Sequence, residues 1–223
     1  FGGGLELVTS EPFNSYGDNL LGFSLQGPLL KTKDSINPTS ILGFFLSGEI
    51  QNVKDTRPFA TDIGVWKAKD EILEYLEQEP LRPSGQGFGV FQNGSYIRMS
   101  DLEQIKRKQN TNALSVSLSS RLDVKTNENT NLAFGGSMNY NNSISYIHNY
   151  SLFNYKNNPQ GINNTWRVYG RFQQRFPTDK DSKSPIKNVF YQVQVDFSKY
   201  NSLVQDPNHK DNLFHYGYLG EFT

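Results

Sequence analysis

Seven stretches of the chain alternate apolar and polar residues. Between residues 114 and 124 the even positions read Leu114, Val116, Leu118, Ser120, Leu122 and Val124, and the odd ones Ser115, Ser117, Ser119, Arg121 and Asp123. Between 189 and 197 the odd positions are Val189, Tyr191, Val193, Val195 and Phe197, opposed by Phe190, Gln192, Gln194 and Asp196. A period of two with one apolar and one wet face predicts a β-strand, in either a soluble sheet or a membrane barrel. The polar side is too polar for a protein core, and almost no helix is available to cover the apolar side. That combination favours the barrel.

The alternation predicts strands over residues 3–10, 20–30, 41–51, 113–124, 131–140, 166–176 and 189–200, the fifth with a continuation toward Tyr155. Pro28 is expected at the end of the second strand, where its missing amide costs least. Residues 52–112 break the rhythm. They hold a helical pattern over 70–78, with Ile72, Leu73 and Leu76 on one face, and a second helix start at Ser100 with Glu103 three residues on. A connector this long is expected to be functional or disordered. The other connectors are short and long by turns. In a membrane barrel the short ones are periplasmic and the long ones external. Strand parity then puts 31–39, 125–130 and 177–188 on the periplasmic side and 52–112 outside.

Composition narrows the choice. The apolar fraction is 35%, against about 45–50% in soluble domains when glycine is included, and a barrel tolerates this because only alternate residues face lipid. Net charge is zero, so charge supplies no case for nucleic acid as a partner. The absence of cysteine removes disulfides, thiolate metal sites and thiol nucleophiles. No run approaches the roughly 18 apolar residues of a membrane helix. The chain opens on Phe1-Gly2-Gly3-Gly4 without an initiating Met or signal peptide and stops at Phe222-Thr223, so it reads as a fragment of a longer polypeptide.

Several blocks resemble the first barrel strands of TonB-dependent outer-membrane receptors of the Bacteroidetes type (SusC-like). They are Gly22-Phe23-Ser24-Leu25-Gln26-Gly27-Pro28-Leu29, Leu42-Gly43-Phe44-Phe45-Leu46-Ser47-Gly48-Glu49 and Asp55-Thr56-Arg57-Pro58. The opening Phe1–Ser10 resembles the exit from the plug domain into the first strand, and Tyr216-Gly217-Tyr218-Leu219-Gly220-Glu221-Phe222 is similar to a segment further into such barrels. The resemblance implies a 22-stranded barrel with an internal plug and energised import driven by periplasmic TonB. It also implies, in many relatives, a surface lipoprotein (SusD-like or other) that captures glycans or peptides. The plug, the TonB-contacting segment and the later strands are absent from this chain, so substrate-binding residues are not carried over.

The polar faces supply the candidate site residues. Arg167, Arg171 and Arg175 recur every fourth position on one strand, and with Arg121, Asp123 and Asp196 they would face a lumen. There they would contact a plug or pair with Asp196 on the next strand; the plainer reading is a hydrated wall. Trp66, Tyr75, Phe88, Phe91 and Tyr96 in the long connector would stack on a ligand or grip a partner, and the plainer reading makes them that connector's own small core. Phe176, Tyr140, Phe197 and Tyr200 suit an interfacial aromatic girdle. His148, His209 and His215 lack metal-ligand spacing, and Asp179-Lys180-Asp181-Ser182 lacks the glycine and closing glutamate of a calcium loop. No Gly-x-Ser-x-Gly elbow or phosphate loop is present, so neither catalysis, a metal nor a cofactor is expected.

The expectation is therefore an all-β chain, about seven strands of an antiparallel transmembrane barrel over residues 1–223, with a long extracellular loop at 52–112 carrying short helices. Its place would be the bacterial outer membrane, its partners lipid, its own plug and later strands, TonB and a surface lipoprotein. It would serve import of a large nutrient or act as a scaffold subunit. The alternative is a soluble secreted β-sandwich binding carbohydrate, which needs a dry core between two sheets; a β-rich enzyme lacks any supporting constellation.

Overall fold

The computed structural model describes residues 1–32, 39–59, 63–177 and 189–216. Three long strands open the chain: β1 (Gly2–Thr9), β2 (Asp18–Lys31) and β3 (Ser40–Val53). An insertion follows with β4 (Val65–Ala68), α1 (Asp70–Gln78), β5 (Leu81–Pro83), β6 (Val90–Gln92) and β7 (Leu102–Ile105). Four more long strands complete it: β8 (Ala113–Asn127), β9 (Thr130–Ile144), β10 (Gln160–Phe176) and β11 (Val189–Gln205). The long strands form one seven-stranded sheet in the order β1-β2-β3-β8-β9-β10-β11, every pair antiparallel. Each long strand lies beside the next one in the chain, so the sheet is a meander interrupted only by the insertion.

Registry sorts the side chains. One rung runs Leu5–Phe23–Gly48–Leu118–Met138–Trp166–Lys199, and another on the same face runs Gly3–Leu25–Leu46–Ser120–Gly136–Val168–Phe197. Between them, on the opposite face, runs Gly4–Ser24–Ser47–Ser119–Ser137–Arg167–Ser198. Because successive residues point to opposite faces, the sheet has one apolar and one polar face over its whole width. Nothing among the described residues covers the apolar one: Leu5 is 78% exposed and Val195 72%. The buried apolar residues among those described are three alanines, Ala68, Ala113 and Ala133. Among the described residues there is no dry core between two sheets of the kind a sandwich needs.

Antiparallel order also places the connectors. Segments 10–17, 54–112, 145–159 and the stretch after β11 leave from one end of the sheet; the β2–β3, β8–β9 and β10–β11 connections leave from the other. The strands outrun the alternation that predicts them. The β8–β9 turn tightens to Glu128-Asn129, because pairing persists to Asn127↔Thr130 across a bulge. Strand β9 stops at Ile144 rather than reaching Tyr155, since residues 145–159 turn back through two short 3₁₀ turns, His148–Tyr150 and Tyr155–Asn157. Beyond Pro28, β2 continues to Lys31 through a bulge. Proline is accommodated there because β1 ends its pairing at Gln26, leaving the Pro28 nitrogen without a ladder partner on that side.

The insertion differs more. Helix α1 spans the predicted residues, with Ile72, Leu73 and Leu76 half-buried. The second helix does not form. Met99–Asp101 is a single 3₁₀ turn, capped by Asp101 accepting the Arg98 amide at 2.8 Å, and residues 102–105 are strand β7 on β4. Glu103 is drawn across that pair to Lys67 at 3.1 Å instead of reaching back to Ser100. β5 and β6 form a second two-stranded ribbon. Gly64 enters β4 at φ +79°, and a Cβ there would lie 2.3 Å from the Ile105 carbonyl oxygen. Gly64→Ala is therefore expected to cost about 1–3 kcal/mol from the left-handed backbone alone. The check is hydrogen exchange at residues 65–68 and 102–105, which should accelerate while exchange in β8–β11 stays unchanged.

Candidate functional site

The polar face gathers most of the charge carried by the seven long strands. Arg167 Nη2 lies 3.1 Å from Asp196 on β11, and Gln194 donates to the other Asp196 oxygen at 3.3 Å while accepting from Arg171 Nε at 3.0 Å. Tyr169 stands between the two guanidiniums, 5.8 and 5.9 Å from its ring centre. Its ring fills the space above Gly135, where a Cβ would come within 2.5 Å of it. The network Arg167–Asp196–Gln194–Arg171 thus ties β10 to β11. On β8, Arg121 and Asp123 pair with each other at 2.6 Å. Arg121 and Arg167 line one open cavity of about 480 Å³ with Asp123, Ser137 and Tyr169. Arg175 stands apart at the end where β10 connects to β11, beside Phe190 by register. The ion pairs are exposed, so each contributes about 0–1 kcal/mol; their use is to present fixed charge, not to hold the sheet.

A second groove of about 380 Å³ lies nearer β1, between Glu6 and Glu49, which flank Gly22 on one rung, with Ser24, Ser47 and Ser117 around them. The polar face therefore carries carboxylates toward β1 and guanidiniums toward β10, with a row of hydroxyls between.

The aromatics of the insertion do not make a core. Trp66, Tyr75, Phe88, Phe91 and Tyr96 are all exposed, Phe88 at 81%. Only Phe91 and Tyr96 meet, edge to face at 6.2 Å, with the Arg82 guanidinium 3.4 Å over the Tyr96 ring. The reason is architectural: two thin ribbons and one helix offer no enclosed layer between them. Tyr200, expected in an aromatic girdle, lies on the polar face instead, paired with Thr165 and donating to Asn163 at 2.8 Å. Tyr140, Phe176 and Phe197 are on the apolar face. The Asp179–Ser182 segment and the block after Tyr216 lie outside the described residues.

What periodicity does not reveal is a buried polar knot where the insertion leaves the sheet. Lys108 and Asp55 are both buried, Nζ to Oδ1 3.5 Å apart, and the Lys108 amide donates to Asp55 Oδ2 at 3.1 Å. Lys108 Nζ also donates to the Arg57 carbonyl and sits 4.7 and 5.2 Å from the Phe59 and Tyr146 ring centres. Asn158, fully buried, donates to the Asn110 carbonyl at 3.0 Å and accepts the Ile147 amide at 3.3 Å. Asn110 donates to the Tyr155 carbonyl at 2.9 Å, and Asn208 to the Lys156 carbonyl at 3.1 Å. Segments far apart in sequence are thereby sewn into one collar. The only sequence trace is a cluster of asparagines, residues that readily cap and bridge backbone.

No protein-family model matches this chain, and no curated protein or solved structure does so either.

Two outcomes follow. Lys108→Met would leave the Asp55 carboxylate buried without its cation, a loss of about 3–5 kcal/mol. It should appear as faster proteolysis within 54–112, and Asp55→Asn in the same chain should recover part of it. At the loop 10–17, Glu11 is held below its ordinary 4.5 because Lys54 hydrogen-bonds its carboxylate and lies beside it. A lowered folded pKa makes this tether complete above 4.5 and lost as pH falls through the lower folded value. Hydrogen exchange at 10–17 should rise on that acidification in the native chain and show no such step in Glu11→Gln.

Proposed function

We propose that this chain is a sector of the β-barrel of a TonB-dependent outer-membrane receptor, working in import of a nutrient too large for porins. The observation that carries the reading is the uncovered apolar face of an all-antiparallel meander. A membrane-crossing strand needs roughly 9–11 residues, and the apolar spans 42–50, 114–124, 132–140, 166–176 and 189–197 all meet that length. Every carboxylate on the seven long strands falls on the opposite face by register, as a lumen wall requires. Connector lengths agree: the large insertion leaves from the end that carries the other long connectors, which is the external end of such barrels.

In this reading β1 and β11 pair with further strands, because open edges cannot face lipid. The charged wall formed by Arg121, Asp123, Arg167, Arg171, Arg175 and Asp196 faces a lumen occupied by a plug, and TonB drives transport from the periplasm. The insertion, with Trp66, Tyr75, Phe88, Phe91 and Tyr96 exposed, meets a surface lipoprotein. A receptor-like barrel kept as a scaffold would share this architecture and differ by showing no TonB-dependent uptake.

Because the chain has no cysteine, single substitutions give clean probes. In the native membrane, Val195→Cys and Leu118→Cys should resist a membrane-impermeant maleimide and, once carrying a fluorophore, be quenched by spin-labelled lipid. Ser119→Cys and Ser137→Cys should show the opposite pattern, and the polypeptide should change its gel mobility on boiling. Equal aqueous labelling at all four positions, with no heat shift, would sink the membrane reading.

A further inference from the structure

Charge on the seven long strands respects the two faces except at one interior position. Glu6, Asp18, Glu49, Asp123 and Asp196 share the polar face with Arg121, Lys125, Arg167, Arg171 and Arg175. Lys199 does not. Its cross-strand partner is Trp166, and the same rung continues through Met138 and Leu118 to Leu5. Lys199 is exposed, and no carboxylate among the described residues pairs with it. The other lysine off the polar face, Lys31, sits at the bulged end of β2, at the opposite edge of the sheet.

The surroundings of Lys199 change character along the strand. Toward the short-connector end the next rung is Gly136–Val168–Phe197, fully apolar, with the Trp166 ring 5.3 Å from Phe197. Toward the long-connector end the next rung is Tyr140–Asn164–Asn201. Beyond it comes Asn142–Ile162–Leu203, with Leu203 exposed, and then Gln160, which donates to Asn142 at 2.9 Å and accepts from Gln205 at 2.9 Å. On this part of the apolar face, then, the Lys199 rung separates a fully apolar rung from one of asparagine and tyrosine, and beyond that amides and the apolar Ile162 and Leu203 are mixed. An ammonium, an indole and a phenol at such a boundary are the groups that settle at a membrane–water interface: the long stem of lysine lies along apolar surface while its charge reaches water.

We propose that Lys199, with Trp166, Tyr140, Asn164 and Asn201, forms an outward-facing site for the phosphorylated headgroup of an outer-leaflet glycolipid. The ammonium supplies the charge for a phosphate, the asparagine amides supply donors to phosphate or sugar oxygens, and Trp166 and Phe197 meet the acyl chains below. This inference rests on the barrel reading above. Without a bilayer against that face the site has no lipid to bind. The outer leaflet is assigned because Lys199 lies on the long-connector half of β11.

The test uses the full polypeptide as extracted from its membrane in mild detergent. Native mass spectrometry would follow binding of a bis-phosphorylated, acylated glucosamine disaccharide and of its dephosphorylated form, with inorganic phosphate as competitor. Wild type and Lys199→Arg should take the phosphorylated lipid. Lys199→Gln should bind it about fivefold less, the weight of about one cation at an anionic membrane surface, and Lys31→Gln should bind like wild type. Undiminished binding by Lys199→Gln overturns the site, as does full displacement by inorganic phosphate, which would make it a simple anion site. A gel mobility shift on boiling is scored on the same sample. If that shift is present and lipid binding ignores Lys199, only the lipid site fails; if the shift is absent, the barrel reading fails with it.

Discussion

Register is the constraint on which the rest of this structure depends. In an antiparallel ladder the side-chain period is two, so a slip by one residue exchanges the faces of a whole strand. Here that exchange would be costly for nearly every long strand. A slip of β10 would carry Arg167, Arg171 and Arg175 onto the face that now holds Trp166, Val168 and Phe172. In a bilayer, an arginine near the mid-plane costs about 2–4 kcal/mol, so the lipid would act as the judge of register. Where that pressure is weak, local packing takes over: Tyr169 over Gly135 and Phe23 over Gly48 are fits in which a ring occupies the space a side chain would need, and neither survives a shift.

A single sheet with one uncovered apolar face has few ways to be stable in isolation. In the barrel proposed above, its stabilising burial would come from lipid and from neighbouring strands at β1 and β11. The described residues include almost no apolar core, and the buried groups are instead polar: Asp55, Lys108, Thr111, Asn93 and Asn158. This inversion makes physical sense at the long-connector end. Loops cannot satisfy their backbone groups with each other as strands do, and a buried unpaired group costs about 1–3 kcal/mol. Side-chain amides and one ion pair meet those groups directly, and so determine how the insertion stands on the sheet.

Much of this was legible from residues alone, for a definite reason. Alternation is a local signal, and where a strand has one apolar face, local and global demands agree. Hence the seven long strands, the ends from which their connectors leave and the polar-face position of Arg167 and Asp196 could be read directly; Asp196 was one partner offered for three arginines against a plain hydrated wall, and Arg167 alone makes the ion contact. Helix α1 was also legible, since Ile72, Leu73 and Leu76 carry the helical period. The strand ends were not. Residues 160–165 and 201–205 show no alternation, yet pair because their neighbours do. The insertion misled for a different reason: Ser100 and Glu103 fit a capping box in sequence, but Lys67 from β4 competes for Glu103. The Lys108–Asp55 knot joins residues more than fifty positions apart, and no window of periodicity spans that distance.

The two faces make different demands on composition, and this accounts for the low apolar fraction without invoking disorder. Half of each long strand is free to be Ser, Asn, Gln or Gly, and the polar rungs use that freedom: Ser24, Ser47, Ser119, Ser137 and Ser198 lie on one of them. A hydroxyl row is sterically small and uncharged, so it leaves room beside the wall while the acidic groups near β1 and the basic ones on β10 keep their distance. On the apolar face the tolerance is narrow, and carboxylates are absent from it along the long strands. Lys199 stands on that face beside a rung of asparagine and tyrosine, Tyr140–Asn164–Asn201. In the proposed barrel the stem of that lysine would lie along apolar surface while its charge reaches water.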